Sequence, residues 1–357
     1  MSQLQRTYYI YHLTNSVHEG GMARNNAFYQ RFLDLNAVSL NVYSKSIIKR
    51  LWMSIKALWV LIFLKNKNIF IHQGSLFVLF PVFLMRISFF KKWIFYLLNR
   101  LARRNKFMLE VNDLPYEQSI DLELHIDDIY KLLQDRLYTI KGCYYIFASN
   151  EMASYAALKY SIQDKYFKVI INGAPELFDC PAIFNDEKWI TSTDIKFVYA
   201  GSLNKGRQIE DLLTIFRENK NNLLIILGNN GEWLKTLDLP ANIIYLGNFE
   251  EREAHYLVSK CDVGIIPYNE ERFYYNLCFP TKVSFYLTAG LPILTTPLKE
   301  LQQVFKDKKA LLFVSFTNWS TTIKNLNTSE ILIMKESVKN IKDSYSWKAI
   351  LNENKFD

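Results

Sequence analysis

The stretch IKFVYAGSLNKGRQIEDLLTIF (residues 195–216) decides the fold of this chain. Apart from Lys196, its first seven residues are β-branched, aromatic or small and predict a buried strand, whereas IEDLLTIF has apolar side chains at helical spacing. A glycine-containing turn, from Gly201 to Arg207, joins the two. A strand that runs through such a turn into a helix is the building unit of an open α/β sheet.

The same alternation extends in both directions from this stretch. Downstream, strands are predicted at 223–229, 242–247, 261–268 and 291–297, and upstream at 8–13, 37–43, 68–72, 107–111, 144–149 and 168–171, with a first helix at 22–35. A polar stretch at 185–194 separates the two series. We therefore predict an α/β fold with two Rossmann-like domains, 1–172 and 173–340, that face a cleft. The segment 341–357 is predicted to be a C-terminal helix that packs back toward the N-terminal domain, although it could equally cap the second domain.

Length and cysteine usage set broad limits. A chain of 357 residues, half of them apolar, has material for two domains with separate cores. The four cysteines are scattered, without C-x-x-C pairs or nearby histidines, so neither a zinc site nor a disulfide framework is predicted. No signal peptide is predicted from the first residues. These features fit a reducing cytoplasm.

Basic charge is concentrated in residues 35–109, which contain thirteen Lys and Arg and no acidic residue. Apolar runs in this region are too short for a membrane-spanning helix and are broken by Pro81 and Arg86. Within it, 91–106 has apolar residues at helical spacing and basic residues on another face. Two interpretations stay open: a surface that lies against an anionic membrane, or a core-facing helix with a solvated basic side. No nucleic-acid-binding signature is present, so nucleic acid is not expected as a partner.

Two turns are candidate phosphate sites. After the strand at 195–201, glycines admit backbone N–H groups to a phosphate, and Lys205 and Arg207 would neutralise its charge. The second turn opens FPTKVSFYLTAGLP (279–292), where Pro280 fits the start of a helix and Lys282 lies in its first turn. A lysine there opposes the helix dipole unless an anion is bound. A structural turn and an exposed surface lysine are the alternatives.

Several of these segments together resemble a known family. FVYAGSLNKGR (197–207), LLIILGNNGEWL (223–234) and the pattern P-x-K-x-x-x-Y-L-x-x-G-x-P from Pro280 to Pro292 resemble the donor-binding domain of GT-B glycosyltransferases of the family 4 type. The wording NLCFPTKVSFYLTAGLPIL (276–294) is similar to bacterial transferases that build surface polysaccharides, including the glucosyltransferase-3-like group.

The resemblance implies a hexosyltransferase that moves a sugar from a nucleotide diphosphate sugar, UDP-linked in our expectation, to a glycan or lipid-linked glycan, with retention and without a metal cofactor. The implied donor-binding residues are Gly20, Gly21, Gly201, Ser202, Lys205, Arg207, Gly228, Asn229, Tyr268, Pro280, Thr281 and Lys282. The candidate acceptor-binding residues, at predicted strand ends, are His72, Glu110 and Asn112.

The chain departs from the family at its two usual glutamates, which fall on Leu277 and Phe285. Glu270 and Glu271, a few residues upstream, are the candidate replacements, and Asp113 in the N-terminal domain is a further catalytic candidate. The departure leaves open a catalytically inactive partner subunit of the same fold, and a nucleotide-sugar 2-epimerase is a further alternative. We expect a cytoplasmic protein that is peripheral on the inner face of the cell membrane.

Overall fold

Two parallel β-sheets of six strands each organise the part of the chain that the structure describes. The structure is a computed structural model that describes residues 6–14, 20–177, 188–204, 207–354 and 356. Residues 1–171 with 351–357 form an N-terminal unit, and residues 172–350 form a C-terminal unit. The predicted α/β class with two Rossmann-like sheets is confirmed.

The N-terminal unit alternates strands and helices along the chain. Its strands are β1 (Thr7–Tyr11), β2 (Val38–Asn41), β3 (Asn68–His72), β4 (Lys106–Val111), β5 (Cys143–Phe147) and β6 (Phe167–Val169). Its helices are α1 (Gly20–Asp34), α2 (Ile47–Phe63), α3 (Gln73–Leu79), α4 (Val82–Met85), α5 (Ser88–Arg104), α6 (Pro115–Asp121), α7 (Ile129–Leu137) and α8 (Asn150–Tyr160). The strand order is β2-β1-β3-β4-β5-β6, with every pair parallel.

The core of this unit lies around β3, of which every residue is buried. Helices cover both faces of a parallel sheet, which is why its central strands are apolar throughout. On one side an aromatic cluster forms, in which Phe356 packs its ring against Phe28, Phe32 and Phe70 at centroid distances of 5.9, 5.2 and 5.8 Å. The order of the sheet reverses between β1 and β3, so the carboxyl ends of these two strands face a crevice of the kind that binds ligands.

The C-terminal unit repeats this plan. Its strands are β7 (Ile195–Ala200), β8 (Asn222–Leu227), β9 (Ile243–Gly247), β10 (Val263–Ile266), β11 (Ile293–Thr295) and β12 (Leu311–Phe313). Its helices are α9 (Ile209–Glu218), α10 (Glu251–Ser259), α11 (Phe273–Leu277), α12 (Thr281–Thr288), α13 (Lys299–Val304), α14 (Trp319–Asn325) and α15 (Thr328–Lys339). The last helix, α16 (Trp347–Glu353), begins in this unit and ends in residues assigned to the N-terminal unit. The parallel strands are ordered β12-β11-β10-β7-β8-β9, and the sheet reverses its order between β7 and β10.

One segment differs from its predicted form. The sequence predicts a loop at 268–282, rich in aromatic and charged residues, but the structure contains the short helix α11 within it. Asn276 closes this turn, because its Nδ2 donates to the carbonyl oxygen of Glu270 at 2.7 Å. Burial of Tyr274, Tyr275 and Leu277 holds the helix against the domain. An apolar face of three residues is too short to show helical spacing in the sequence.

Candidate functional site

The reversal between β7 and β10 positions the candidate site of the C-terminal unit. In a doubly wound sheet, ligands bind at the carboxyl ends of the strands where the order reverses. Gly201 and Ser202 follow β7, and Tyr268 follows β10 by two residues. The two strands pair directly, with Val263 opposite Phe197, so these residues lie at the same edge of the sheet.

Lys282, the second residue of α12, extends into this edge. Its Nζ donates to the hydroxyl of Tyr268 at 3.2 Å and lies 5.0 Å from the ring centroid of Tyr199. Burial lowers the pKa of Lys282, but the phenols of Tyr199 and Tyr268 raise the pKa more, so that it lies above its ordinary value. The ammonium therefore stays charged in a partly enclosed position, and the interpretation as a plain surface lysine does not fit this geometry.

Arg207 meets Lys282 at the same hydroxyl. Its Nη1 lies 3.5 Å from the Tyr268 oxygen, and its guanidinium carbon lies 5.7 Å from the centre of that ring. Burial raises the pKa of Tyr268, but the charges of Lys282 and Arg207 outweigh it and hold the pKa below its ordinary value. Within the described ranges neither cation pairs with a carboxylate, so the site carries excess positive charge that suits an anion.

Two glycines permit this close assembly. Gly201 has φ +141°, and a Cβ placed on it would lie 2.7 Å from Nζ of Lys282. Gly228, at the end of β8, has φ +146°, and a Cβ there would lie 1.8 Å from the carbonyl oxygen of Gly201. A side chain at either position would therefore displace the lysine or the neighbouring strand end.

Internal hydrogen bonds fix the loop after β7. The carbonyl oxygen of Ser202 accepts from the Tyr199 hydroxyl at 3.0 Å, and that of Asn229 accepts from the amide of Leu203 at 3.0 Å. Ser202 is half-buried at this edge. Lys205, predicted to share the phosphate with Lys282, lies outside the described residues, as does Gly206.

The start of α12 is anchored by Asn172, a contact that sequence reasoning did not assign. Asn172 Nδ2 donates to the carbonyl oxygen of Phe279 at 2.9 Å, and Ser284 Oγ donates to the Asn172 carbonyl at 2.5 Å. Pro280 precedes the helix as its N-cap and Thr281 is its first residue, so these bonds set the register from which Lys282 extends. Tyr199 was also missed, because period-two alternation does not show which face of a buried strand meets a ligand.

The predicted carboxylates of this unit lie on the loop before α11. Glu271 is exposed, and Glu270 accepts a bond from the amide of Phe316 at 3.4 Å through Oε1. The positions of the family's usual glutamates are apolar and structural: Leu277 is buried on α11, and the ring of Phe285 packs on His255 with centroids 4.8 Å apart. The roles proposed for Glu270 and Glu271 stay predictions.

In the N-terminal unit, His72 and Glu110 belong to a buried polar network. Arg24 Nε donates to Glu110 Oε1 at 2.5 Å, and His72 Nδ1 lies 2.8 Å from Glu110 Oε2. The other ring nitrogen of His72 lies 2.5 Å from the Tyr9 hydroxyl. Burial raises the pKa of Glu110, but Arg24 and His72 lower it below its ordinary value. His72 and Glu110 are each 1% exposed, so the network links β1, β3 and β4, and their predicted part in acceptor binding stays a prediction.

The remaining N-terminal candidates come together beside that network. Asn112 and Asp113 follow β4, and Asn112 Nδ2 donates to Asp113 Oδ2 at 2.9 Å. Gly20 and Gly21 open α1, and a Cβ at Gly21 would lie 3.1 Å from Asn112 Nδ2. Residues 15–19, which precede these two glycines, lie outside the described residues. Asp113 is half-buried, and its predicted catalytic role stays a prediction.

The described part of the chain contains neither a metal-binding cluster nor a membrane-spanning helix. No group of three or more His, Cys, Asp or Glu is arranged to hold a metal ion in this part of the chain. None of the described helices combines the length and the apolarity that crossing a bilayer requires.

Comparison with known proteins follows the same division of the chain. Residues 197–349 match the family described as "Glucosyltransferase 3-like, C-terminal domain". Among curated proteins no significant match is found.

Solved structures resemble the whole chain in fold. HepE from Anabaena, solved in complex with UDP, has a TM-score of 0.65 at 11% identity, over 98% of both chains. Sucrose-phosphate synthase from Thermosynechococcus elongatus has a TM-score of 0.67 at 11% identity, over 98% of this chain and 97% of its own. WaaG, a glycosyltransferase involved in lipopolysaccharide biosynthesis, has a TM-score of 0.61 at 10% identity, over 97% of this chain and 98% of its own. The predicted resemblance is confirmed: the chain has the GT-B fold of these glycosyltransferases, and residues 197–349 match the glucosyltransferase 3-like C-terminal domain.

Proposed function

We propose that the chain transfers a sugar from a UDP-sugar to a hydroxyl of a glycan or lipid-linked glycan in surface polysaccharide synthesis, with retention of configuration. The observation that carries this proposal is the convergence of Lys282 and Arg207 on the Tyr268 hydroxyl at the reversal of the C-terminal sheet. A nucleotide diphosphate sugar brings two phosphates to such an edge, and its reaction ends with a UDP leaving group that needs positive charge.

The described residues supply the electrostatic part of this reaction. As the bond between the sugar and the diphosphate breaks, negative charge develops on the phosphate oxygen, and two preorganised cations in a partly enclosed site stabilise it. Lys282 is held by α12 and by Tyr268, so little reorganisation is needed when the charge appears. The proposal assigns the neutralisation to side chains and calls for no metal cofactor.

The donor and the acceptor rest on the comparisons. HepE was solved with UDP, and WaaG acts in lipopolysaccharide biosynthesis, which supports a UDP-linked donor and a glycan acceptor for this chain. The proposal places the protein at the inner face of the cell membrane, where a lipid-linked acceptor would lie, with residues 35–109 toward anionic lipid.

The test is release of UDP by the purified chain from UDP-glucose, UDP-galactose and UDP-N-acetylglucosamine, with glycan acceptors and in the presence or absence of EDTA. We expect acceptor-dependent UDP release that EDTA leaves unchanged and that Lys282→Ala lowers by at least a hundredfold. Lys220→Ala, an exposed lysine just after α9, is the matched control and should keep full activity. Equal loss in both variants, or none in Lys282→Ala, would refute the assignment.

A second function, a catalytically inactive partner subunit, is favoured by one observation. Leu277 and Phe285 stand where the resembling family has carboxylates, and both are packed into the domain. Such a subunit would bind UDP through the same cations without releasing it from any donor. Tight UDP binding together with no transfer over the acceptor panel would select this function.

A further inference from the structure

Helix α2 has an unusually apolar exposed face. The buried side chains of α2 are those of Ser54, Ala57 and Leu61. On the opposite side, large apolar residues follow each other at helical spacing and are more than half exposed, with Ile48 at 82% and Trp59 at 68%. These residues are Ile47, Ile48, Leu51, Trp52, Ile55, Trp59 and Phe63. An apolar stripe of this size on a helix surface marks an interaction site.

Helix α5 extends this surface. α2 packs beside α5, and right-handed crossovers place both on the same face of the N-terminal sheet. The apolar stripe predicted within 91–106 is buried here, since Ile94, Leu97, Leu98 and Leu101 face the core. Instead, the exposed side of the first half of α5 presents Phe89, Trp93 and Tyr96. We name the exposed side chains of these two helices the α2–α5 face.

The charge around the α2–α5 face is entirely positive along both helices. Neither helix contains an acidic residue, and exposed basic residues flank the apolar stripes: Lys49 and Lys56 on α2, and Lys92 and Arg103 on α5. Nζ of Lys56 lies over the ring of Trp52, 5.6 Å from its centroid, so a positive charge lies directly beside the apolar side chains of α2. A second copy of this chain would bring a like-charged surface and be repelled, whereas anionic lipid headgroups complement it.

The residue types also suit a bilayer surface. Trp and Tyr favour the headgroup region, where an apolar ring is buried and its polar edge stays hydrated. α2 has seventeen residues, about 25 Å at 1.5 Å per residue, and its inner side packs on protein, so it would lie in the plane of the interface.

We propose that the α2–α5 face docks on a bilayer that contains anionic lipid, with α2 lying in the interfacial plane and Trp52 and Trp59 inserted among the headgroups. The inference deepens the proposed function by naming the surface that would bring the enzyme to a lipid-carried acceptor. It stands on α2 and α5 alone and does not depend on the chemistry of the donor site.

The experiment is co-flotation of the full chain with vesicles of phosphatidylcholine alone or with 30% phosphatidylglycerol, followed with tryptophan emission. We expect binding to the anionic vesicles, a blue shift of emission, and weakening by salt. Trp52→Ser with Trp59→Ser should lower the affinity at least tenfold and remove the blue shift. Lys49→Ala with Lys56→Ala should lower it about fivefold for each charge, and only on anionic vesicles.

Controls separate this inference from its alternatives. Leu158→Ser and Leu332→Ser remove exposed leucines elsewhere, 86% and 60% exposed, and should bind vesicles like the wild type. All variants should bind UDP with wild-type affinity. A loss of vesicle binding with unchanged UDP affinity would therefore show that the donor site is intact and that the two proposals are tested separately. Wild-type vesicle affinity in Trp52→Ser with Trp59→Ser would overturn the proposal. A dimer that this double variant dissociates, without vesicle binding by the wild type, would also overturn it and would assign the face to a second copy.

Discussion

Substitution of Gly201 by alanine should have two separate effects on the donor site: it strains the backbone and it displaces the ammonium group of Lys282. The φ of +141° costs an L-residue about 1–3 kcal/mol of stability. The added Cβ would also lie 2.7 Å from both Cε and Nζ of Lys282, the flexible end of a side chain, which moves at little cost in stability. The ammonium would then leave the position it holds 3.2 Å from the Tyr268 hydroxyl.

The magnitudes follow from those contacts. A charge-assisted hydrogen bond to phosphate contributes about 1.5–3 kcal/mol, so a displaced Lys282 should weaken UDP binding about tenfold to a hundredfold. Gly247→Ala is the matched control, because Gly247 has φ +102° and nothing lies within 4 Å of an added Cβ. Urea denaturation should show a similar loss of stability in both variants, whereas calorimetry should show weaker UDP binding only in Gly201→Ala. Wild-type affinity in Gly201→Ala, or equal weakening in Gly247→Ala, would refute the reasoning.

Three further predictions concern Tyr268 in the donor site, Glu110 in the N-terminal buried network and Asn172 at the start of α12. The lowered pKa of Tyr268 stabilises the folded state, and this stabilisation is complete above the unfolded-state pKa of about 10 and is lost as the pH falls through the folded-state pKa. In urea denaturation the stability difference between wild type and Tyr268→Phe should therefore grow from pH 7.5 to 9.5. A constant difference would contradict the lowered pKa. Glu110→Gln removes the carboxylate that accepts from the buried Arg24 guanidinium and should lower the free energy of unfolding by about 3–5 kcal/mol. Glu336→Gln, at an exposed site, should change it little, and equal effects would show that the buried network contributes nothing. Asn172→Ala removes the bond to the Phe279 carbonyl and should cost about 1 kcal/mol of stability and weaken UDP binding severalfold; unchanged binding would mean that this anchor does not position Lys282.

The fold was predictable because parallel strands covered on both faces appear as apolar runs. IKFVYA and NLLIIL became β7 and β8, with nearly every residue buried, and their spacing left room for one helix between them. The helix expected at 22–35 was observed as α1. The five-residue helix α11 was not predictable, since tertiary burial and the bond from Asn276 to the Glu270 carbonyl hold it rather than helical spacing.

The site was predictable only where chemistry and chain position coincide. Lys282 was identifiable because a lysine at the start of a helix opposes the helix dipole unless an anion is bound there. Arg207 was identifiable because it follows a glycine-containing turn. Their meeting at Tyr268 joins residues 61 and 14 positions apart, a relation that no local pattern contains. The network of Arg24 with Glu110 spans 86 positions, so a sequence shows the two charges but not their burial. For α2, an apolar run indicates burial without saying whether protein or lipid provides it.

UDP and uridine binding, measured by calorimetry on the full chain and on Lys282→Ala, tests the central claim most directly. If the cations at the edge of β7 and β10 hold the diphosphate, the wild type should bind UDP far more tightly than uridine, and Lys282→Ala should lose most of that difference while its uridine affinity stays unchanged. A Lys282→Ala protein that still prefers UDP over uridine as strongly as the wild type would contradict the account.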